Sequence, residues 1–446
     1  MKIGGLFSGD RNDRMRRVAV LAWIGMCGAV AAGSGVFVRP VTLPAMPLGV
    51  VSLGGGRVVN LSVSAGAGAF HAPGDPSGRI WTITDRGPAI DCNDEREVIG
   101  ADDRQICATG RRGKIYLLPT FVPSIYGLEL GGDKTARLTT TLPLKGSSGR
   151  PLTGIVNPGP ASRSEVAYDP DGQEVAADPS GIAPGGLVRL SDGSFFVADA
   201  FGPSVLEVAP DGTVRRRIVP QSMGEELRQA DYPVEPSLPA ILSLRQTGRG
   251  FEGIAVSADE KTLFVAMQSP LVNPTLAEYR TSPFVRLYGI DRQSGQVTHR
   301  YLYPLDAPDA FQGEHGITTR PPRQSDVRLM EVVMLENGTL LCLERLKNLS
   351  RIYRVSLADA VEYPKALDDP AVQPALEKGV AELSGVVPLR KTLLFESDPS
   401  RGPVGRLTGM AVLSDREIVV VGNNDFGIDG SRTQMFRLTF PASILN

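Results

Sequence analysis

The sequence predicts an all-β protein, a β-propeller of about six four-stranded antiparallel blades, on three observations. An apolar run, a turn and a second apolar run recur along the chain, as in residues 186–199, 253–266, 332–344 and 409–421. Each turn is of Asp/Asn/Gly or similar polar type, which is the signature of a β-hairpin. The second runs begin at residues 195, 262, 340 and 418, a spacing of 67 to 78 residues. That spacing leaves room for about two more strands per unit, such as 205–208 before Asp211-Gly212-Thr213 and 285–290 before Ser294-Gly295. Four-stranded sheets repeated around a ring leave few exposed edges. Glycine (50) and proline (35) make up about 19% of the 446 residues, against a usual share of roughly 12%. An earlier copy ends at 80–85, further strands are expected between Lys114 and Leu144, and a short helix is expected within 358–387. The alternative, one open β-sandwich, is short of this length.

Two segments divide the chain. Residues 1–38 read as a signal peptide or an N-terminal membrane anchor, and residues 39–446 as one propeller domain. Arg14, Arg16 and Arg17 precede an apolar run at 18–32, followed by Ala31, Ala32, Gly33, Ser34 and Gly35. Basic flank, apolar core and small-residue zone are the order of a secretory signal. The stretch 18–38 is also just long enough to span a bilayer, which takes ~20 residues. Either way the protein is expected to be exported, periplasmic or secreted, with membrane contact only through this segment.

Export changes what the cysteines mean. Cys27 lies in the signal, and Cys342 sits in an apolar strand pattern. Cys92 and Cys107 bracket a polar loop with no histidine nearby, so a disulfide is expected rather than a metal–thiolate pair. It would contribute ~3 kcal/mol through loop closure. With 47 Lys+Arg against 49 Asp+Glu the formal charge is -2, which excludes a global field that gathers nucleic acid.

Hairpin topology places a candidate site. The residue before the first strand and the residue after the second share one end, and the turn lies at the other. At the open end stand Asp85-Arg86, Asp199, Glu252, Gln268, Glu344-Arg345 and Asn423-Asn424-Asp425. Equivalent blades would turn these toward one rim. Asp85, Asp199, Glu252, Glu344, Asn424 and Asp425 would supply hard oxygen ligands suited to Ca²⁺. A divalent cation there could activate water. Arg86 and Arg345 could clamp an anionic oxygen, with Glu252 as a base or ligand. Gly-x-Ser-x-Gly, His-Glu-x-x-His and phosphate-loop patterns are absent. Of His71, His299 and His315, only His315 lies in a loop that could reach the rim. The acidic loop Asp91, Asp94, Glu95, Glu97, Asp102 and Asp103 reads as a solvated face.

The same residues carry a family resemblance. Thr84-Asp85-Arg86-Gly87-Pro88, Asp178-Pro179-Ser180-Gly181-Ile182 and Asp199-Ala200-Phe201-Gly202-Pro203 come first, in that order. Gly250-Phe251-Glu252-Gly253, Met267-Gln268-Ser269-Pro270, Leu343-Glu344-Arg345 and Gly422-Asn423-Asn424-Asp425-Phe426 follow. Together they resemble the phytase-like family, described as esterase-like activity of phytase. The resemblance implies a propeller and a calcium-assisted hydrolase of phosphate or other esters acting on a small-molecule substrate. Similar proteins tend to have Glu where this chain has Ser180, Ala200 and Thr408, which removes three carboxylates from the rim. A non-catalytic propeller that binds a cell-envelope protein or glycan is therefore the competing expectation, and a lactonase-like hydrolase a third.

Overall fold

The computed structural model describes residues 35–53, 56–99, 106–107, 112–132, 134–160, 164–311, 320–379, 385–397 and 406–446, with the backbone of a two-residue strand at Ala29–Val30. The apolar leader core, Cys27, Asp102, Asp103 and His315 fall outside these residues. Among the described residues no helix is long and apolar enough to cross a membrane.

The described chain is all-β, built of six sheets of four or five strands and one separate hairpin, Pro47–Ser52 with Val58–Ser62. The four repeated hairpins form as expected. In the third sheet Pro184–Arg189 pairs with Phe195–Asp199, followed outward by Ser204–Val208, Val214–Pro220 and Val234–Leu238. The fourth runs Phe251–Val256, Thr262–Met267, Phe284–Asp291 and Val297–Pro304. The fifth runs Val327–Met334, Thr339–Leu346, Leu349–Ser356 and Lys391–Glu396. The sixth runs Leu407–Ser414, Glu417–Gly422 and Gln434–Thr439, then takes Phe37–Pro40 from the other end of the chain, with Val38 opposite Leu438.

The first sheet comprises Gly68–Phe70, Arg79–Ile83, Ser124–Leu130 and Ala136–Pro143. The second comprises Ala89–Asp91, Gly113–Tyr116, Val166–Tyr168 and Glu174–Val175. Pairing is not antiparallel throughout: Val166–Tyr168 lies parallel to Gly113–Tyr116, and Val214–Pro220 to Val234–Leu238. Among the described residues of 358–387, where a helix is expected, stand two 3-10 turns, Lys365–Asp368 and Leu376–Lys378. Pro364, Pro370 and Pro374 interrupt that stretch and cannot donate within a helix.

The innermost strands pack on one another in succession. Gly68–Phe70 meets Pro184–Arg189, which meets Phe251–Val256, then Val327–Met334, then Leu407–Ser414, which returns to Gly68–Phe70. The approach is backbone to backbone. A Cβ on Gly253 would stand 2.6 Å from the Val332 nitrogen, and one on Gly409 2.7 Å from the Ala69 nitrogen. Only glycine allows that spacing. Apolar side chains fill the space between sheets, including Trp81 edge-on to Phe195 at 5.3 Å and the fully buried Phe196, Phe251 and Tyr288.

A carboxyl is enclosed among these inner strands. Glu331 is 1% exposed, accepts from the Val332 amide at 3.1 Å, and lies against the amides of Ala69 and Ile254. Burial, the largest influence, pushes its carboxyl well above the ordinary range.

Candidate functional site

Four inner strands share a β-bulge at the same level. Pairing with the next strand skips Gly185, Glu252, Met330 and Thr408. A bulged residue is released from the ladder and re-aimed. Three of the four, Glu252, Met330 and Thr408, line a cavity of about 1120 Å³. On the neighbouring strand, or one residue past its end, the equivalent positions Ala200, Gln268, Arg345 and Asn423 line it too. Of the residues just before them, Asp199, Met267 and Glu344 are buried on the opposite face, away from the cavity, because alternate side chains of a strand take opposite faces.

That alternation corrects the expected metal set. Asp199 is fully buried and ion-paired with Arg217 at 2.5 Å, its other oxygen accepting from the Phe201 and Gly202 amides. Glu344 is fully buried, accepting from Tyr303 at 2.7 Å and the Asp306 amide at 2.9 Å and pairing with Lys391. Asn424 is 1% exposed and donates to Ser62 at 3.1 Å. Asp85, Glu252 and Asp425 do line the cavity, but Asp425 is paired with Arg406. Among the described residues no group of three His, Cys, Asp or Glu is arranged to hold an ion. Of the six residues, Asp85, Glu252 and Asp425 therefore share the cavity, and Asp199, Glu344 and Asn424 are engaged outside it.

Arg86 is likewise corrected as an anion clamp. It lines the cavity, yet is 8% exposed and donates to Tyr116 at 2.9 Å and Glu165 at 2.5 Å, so its charge is matched within the fold. Of the departures from the family pattern, Ala200 and Thr408 border the cavity. Thr408 donates to the Gly66 carbonyl. Ser180 does not border it, being buried and accepting from the Asp231 amide.

Glu252 and Arg345 stand in the cavity as expected. One oxygen of Glu252, Oε2, is buried with no hydrogen-bond partner among the described residues. Burial first, then the nearby Asp85 charge, pushes this carboxyl up to about 7, against the pull of Arg345 and Arg328. The Gln268 side chain lies beside it and leaves its own buried Oε1 without a partner. Arg345 is pulled down to about 10, chiefly by burial, with Arg406 and Arg249 adding repulsion.

Sequence reasoning missed Arg328 and Arg249. Arg328 lies directly opposite Arg345 in the strand register and faces the same cavity. Burial, with repulsion from Arg249 and Arg345, holds it well below the ordinary arginine range. Neither Arg328 nor Arg345 has a hydrogen bond or ion pair with any described residue. The Arg249 side chain donates to the Ser269 hydroxyl, at 3.1 Å. The hairpin repeat held a signal for Arg328, since it brackets the strand that precedes Glu344-Arg345. The bulge that brings the two into register left none.

Backbone strain gathers here as well. Of the six non-glycine residues with positive φ, Lys347, Arg406, Asp425 and Phe426 line this cavity. Such conformations cost of order 1–3 kcal/mol each and cluster at functional sites. The disulfide Cys92–Cys107 is formed, with Cα atoms 5.8 Å apart. It ties down the loop from which Asp91 and Asn93 reach the cavity. His71 bonds the Arg79 carbonyl and His299 pairs with Glu362, so both are engaged elsewhere.

Fold and cavity define an all-β protein with a charged pocket where its inner strands converge. The chain belongs to the phytase-like family, described as esterase-like activity of phytase, whose match covers residues 69–426. An uncharacterized secreted protein of Arthroderma benhamiae is 26% identical over 335 residues, 67% of this chain. The match spans 60% of that relative's own length. Among solved structures, the PQQ-bound aldose sugar dehydrogenase of Streptomyces coelicolor is 11% identical with a TM-score of 0.32, covering 91% of this chain and 98% of its own. The calcium-binding protein regucalcin of Agrobacterium tumefaciens is 10% identical with a TM-score of 0.32, covering 90% and 96%.

Proposed function

We propose that this is an exported hydrolase that cleaves a small anionic ester in the charged cavity of a β-propeller. Support for the propeller is the succession of inner strands from Gly68–Phe70 round to Leu407–Ser414 and back. Export is supported by the signal-like leader and by a secreted relative. The observation that carries the chemistry is Glu252: a carboxyl pushed up to about 7, with a buried oxygen that has no partner among the described residues, beside the guanidinium groups of Arg345 and Arg328. Such a group holds a proton near neutral pH and suits general acid work.

In this reading Arg345 binds the anionic oxygens of the ester and water attacks the ester centre. The bond to the leaving oxygen breaks, Glu252 gives that oxygen its proton, and the carboxylate regains one from the attacking water. The test is hydrolysis of a panel of phosphate and carboxyl esters by the purified protein, with calcium and with chelator, alongside Glu252→Gln. Turnover lost in the variant with unchanged folding is the expected result; equal turnover in both removes Glu252 from the chemistry. A second reading, a receptor for an anionic cell-envelope glycan, is favoured by the engagement of Asp199 and Glu344 in structural pairs. Absence of turnover across the panel, with glycan binding, would select it.

A further inference from the structure

We infer that Arg328, Arg345 and Arg249 form a direct binding site for a tetrahedral dianion, so that the ester is a phosphomonoester held by guanidinium groups without a bridging metal. This rests on the reading of the cavity as a substrate site. The argument starts from register. Arg328 and Arg345 are cross-strand partners on Val327–Met334 and Thr339–Leu346. Like charges directly opposite each other are destabilising. Both are partly buried, both face the cavity, and neither has a partner among the described residues. Arg249 enters from the segment just before Phe251–Val256 and is close enough to repel both. Three guanidinium groups thus meet in one pocket, with the carboxylates of Glu252, Asp85 and Asp326 beside them.

A fold holds such repulsion where a ligand relieves it. Guanidinium presents a planar fork of donors that matches a pair of phosphate oxygens. Two side-by-side forks and a third cation suit three equatorial oxygens carrying two charges. A carboxylate ester offers no such charge, and a phosphodiester offers one. In phosphoryl transfer the charge spreads over those same oxygens, so the arginines would also act in the transition state, while Glu252 protonates the departing alcohol oxygen.

The experiment is calorimetric titration of the full-length protein with inorganic phosphate at pH 8 in chelator. Dimethyl phosphate and acetate serve as monoanion controls. Phosphate is expected to bind at least tenfold more tightly than either. Arg328→Gln and Arg345→Gln are each expected to weaken it tenfold or more, and Arg137→Gln is expected to change little, since Arg137 lies outside the cavity and is paired with Glu129 at 2.5 Å. Melting curves establish that each variant is folded, and Arg345→Lys reports on the fork as distinct from the charge. Phosphate binding that appears only when calcium is added, or that survives both glutamine variants, overturns the inference. Phosphate binding without ester turnover overturns the hydrolase reading and leaves the anion site standing; turnover without arginine-dependent phosphate binding does the reverse.

Discussion

Arg328 and Arg345 face each other across adjacent strands of the fifth sheet, two like charges in direct register with no described partner. A bulge that skips Met330 sets this pairing. Without it Arg345 would stand opposite Leu329, and only one arginine would reach the cavity. Repulsion between the two is therefore built into the backbone, and it gives a first prediction. Arg328→Met should raise the stability of the ligand-free protein by about 1 kcal/mol, since it removes an unfavourable cross-strand pair. Thermal melting in phosphate-free buffer checks it, and a lower melting temperature would contradict it.

Glu252 should make stability depend on pH. In the unfolded chain this carboxyl loses its proton near its ordinary 4.5, whereas the fold retains it to about 7. Between those values the native state binds more protons, so stability falls as pH rises and the deficit is complete above 7. Glu252→Gln should match the parent protein at pH 4 and exceed it by on the order of 3 kcal/mol at pH 8. Urea denaturation at the two pH values measures the difference.

Activity should follow the same group with the opposite benefit. A proton donor at about 7 keeps kcat/KM level below that pH and lets it fall tenfold per unit above. Glu252→Gln should abolish this limb together with most of the turnover. A rate that instead rises through pH 7 would make Glu252 a base.

The Asp199–Arg217 pair is fully buried, with Arg217 also donating to Ser204, Asn157 and Tyr232. Arg217→Met leaves the carboxylate of Asp199 enclosed without its counter-ion and should cost about 3–5 kcal/mol. Adding Asp199→Asn should recover part of that loss. Equal stabilities for the single and double variants would show that the pair is uncoupled.

Removing the Cys92–Cys107 bridge by a double serine substitution should cost ~3 kcal/mol. Because the loop supplies Asp91 and Asn93 to the cavity, KM should rise more than kcat falls.

Much of the architecture was legible. The four apolar–turn–apolar repeats became the first two strands of four sheets, and Cys92 and Cys107 joined as their loop suggested. Glu252 and Arg345 were found from the open end of their hairpins. Asp199 and Glu344 were misjudged because hairpin topology locates the end of a strand but not which face each side chain takes. A shift of one residue exchanges the faces. The bulges at Glu252 and Met330 set that parity, and no turn residue announces them. Arg86 was misjudged for a different reason: its neutralising partner, Glu165, lies 79 positions away in the chain.

The sixth sheet joins Phe37–Pro40 to Gln434–Thr439. Its completion joins segments far apart in the sequence, because Val38 pairs with Leu438 on one side and with Ala29 on the other. Closing so long a loop adds little free energy, ~0.6 kcal/mol per doubling of length, but it sets an order of events. The seam closes only when these two distant strands meet, and cutting either one away should undo the fastening while leaving the middle sheets their own hairpins.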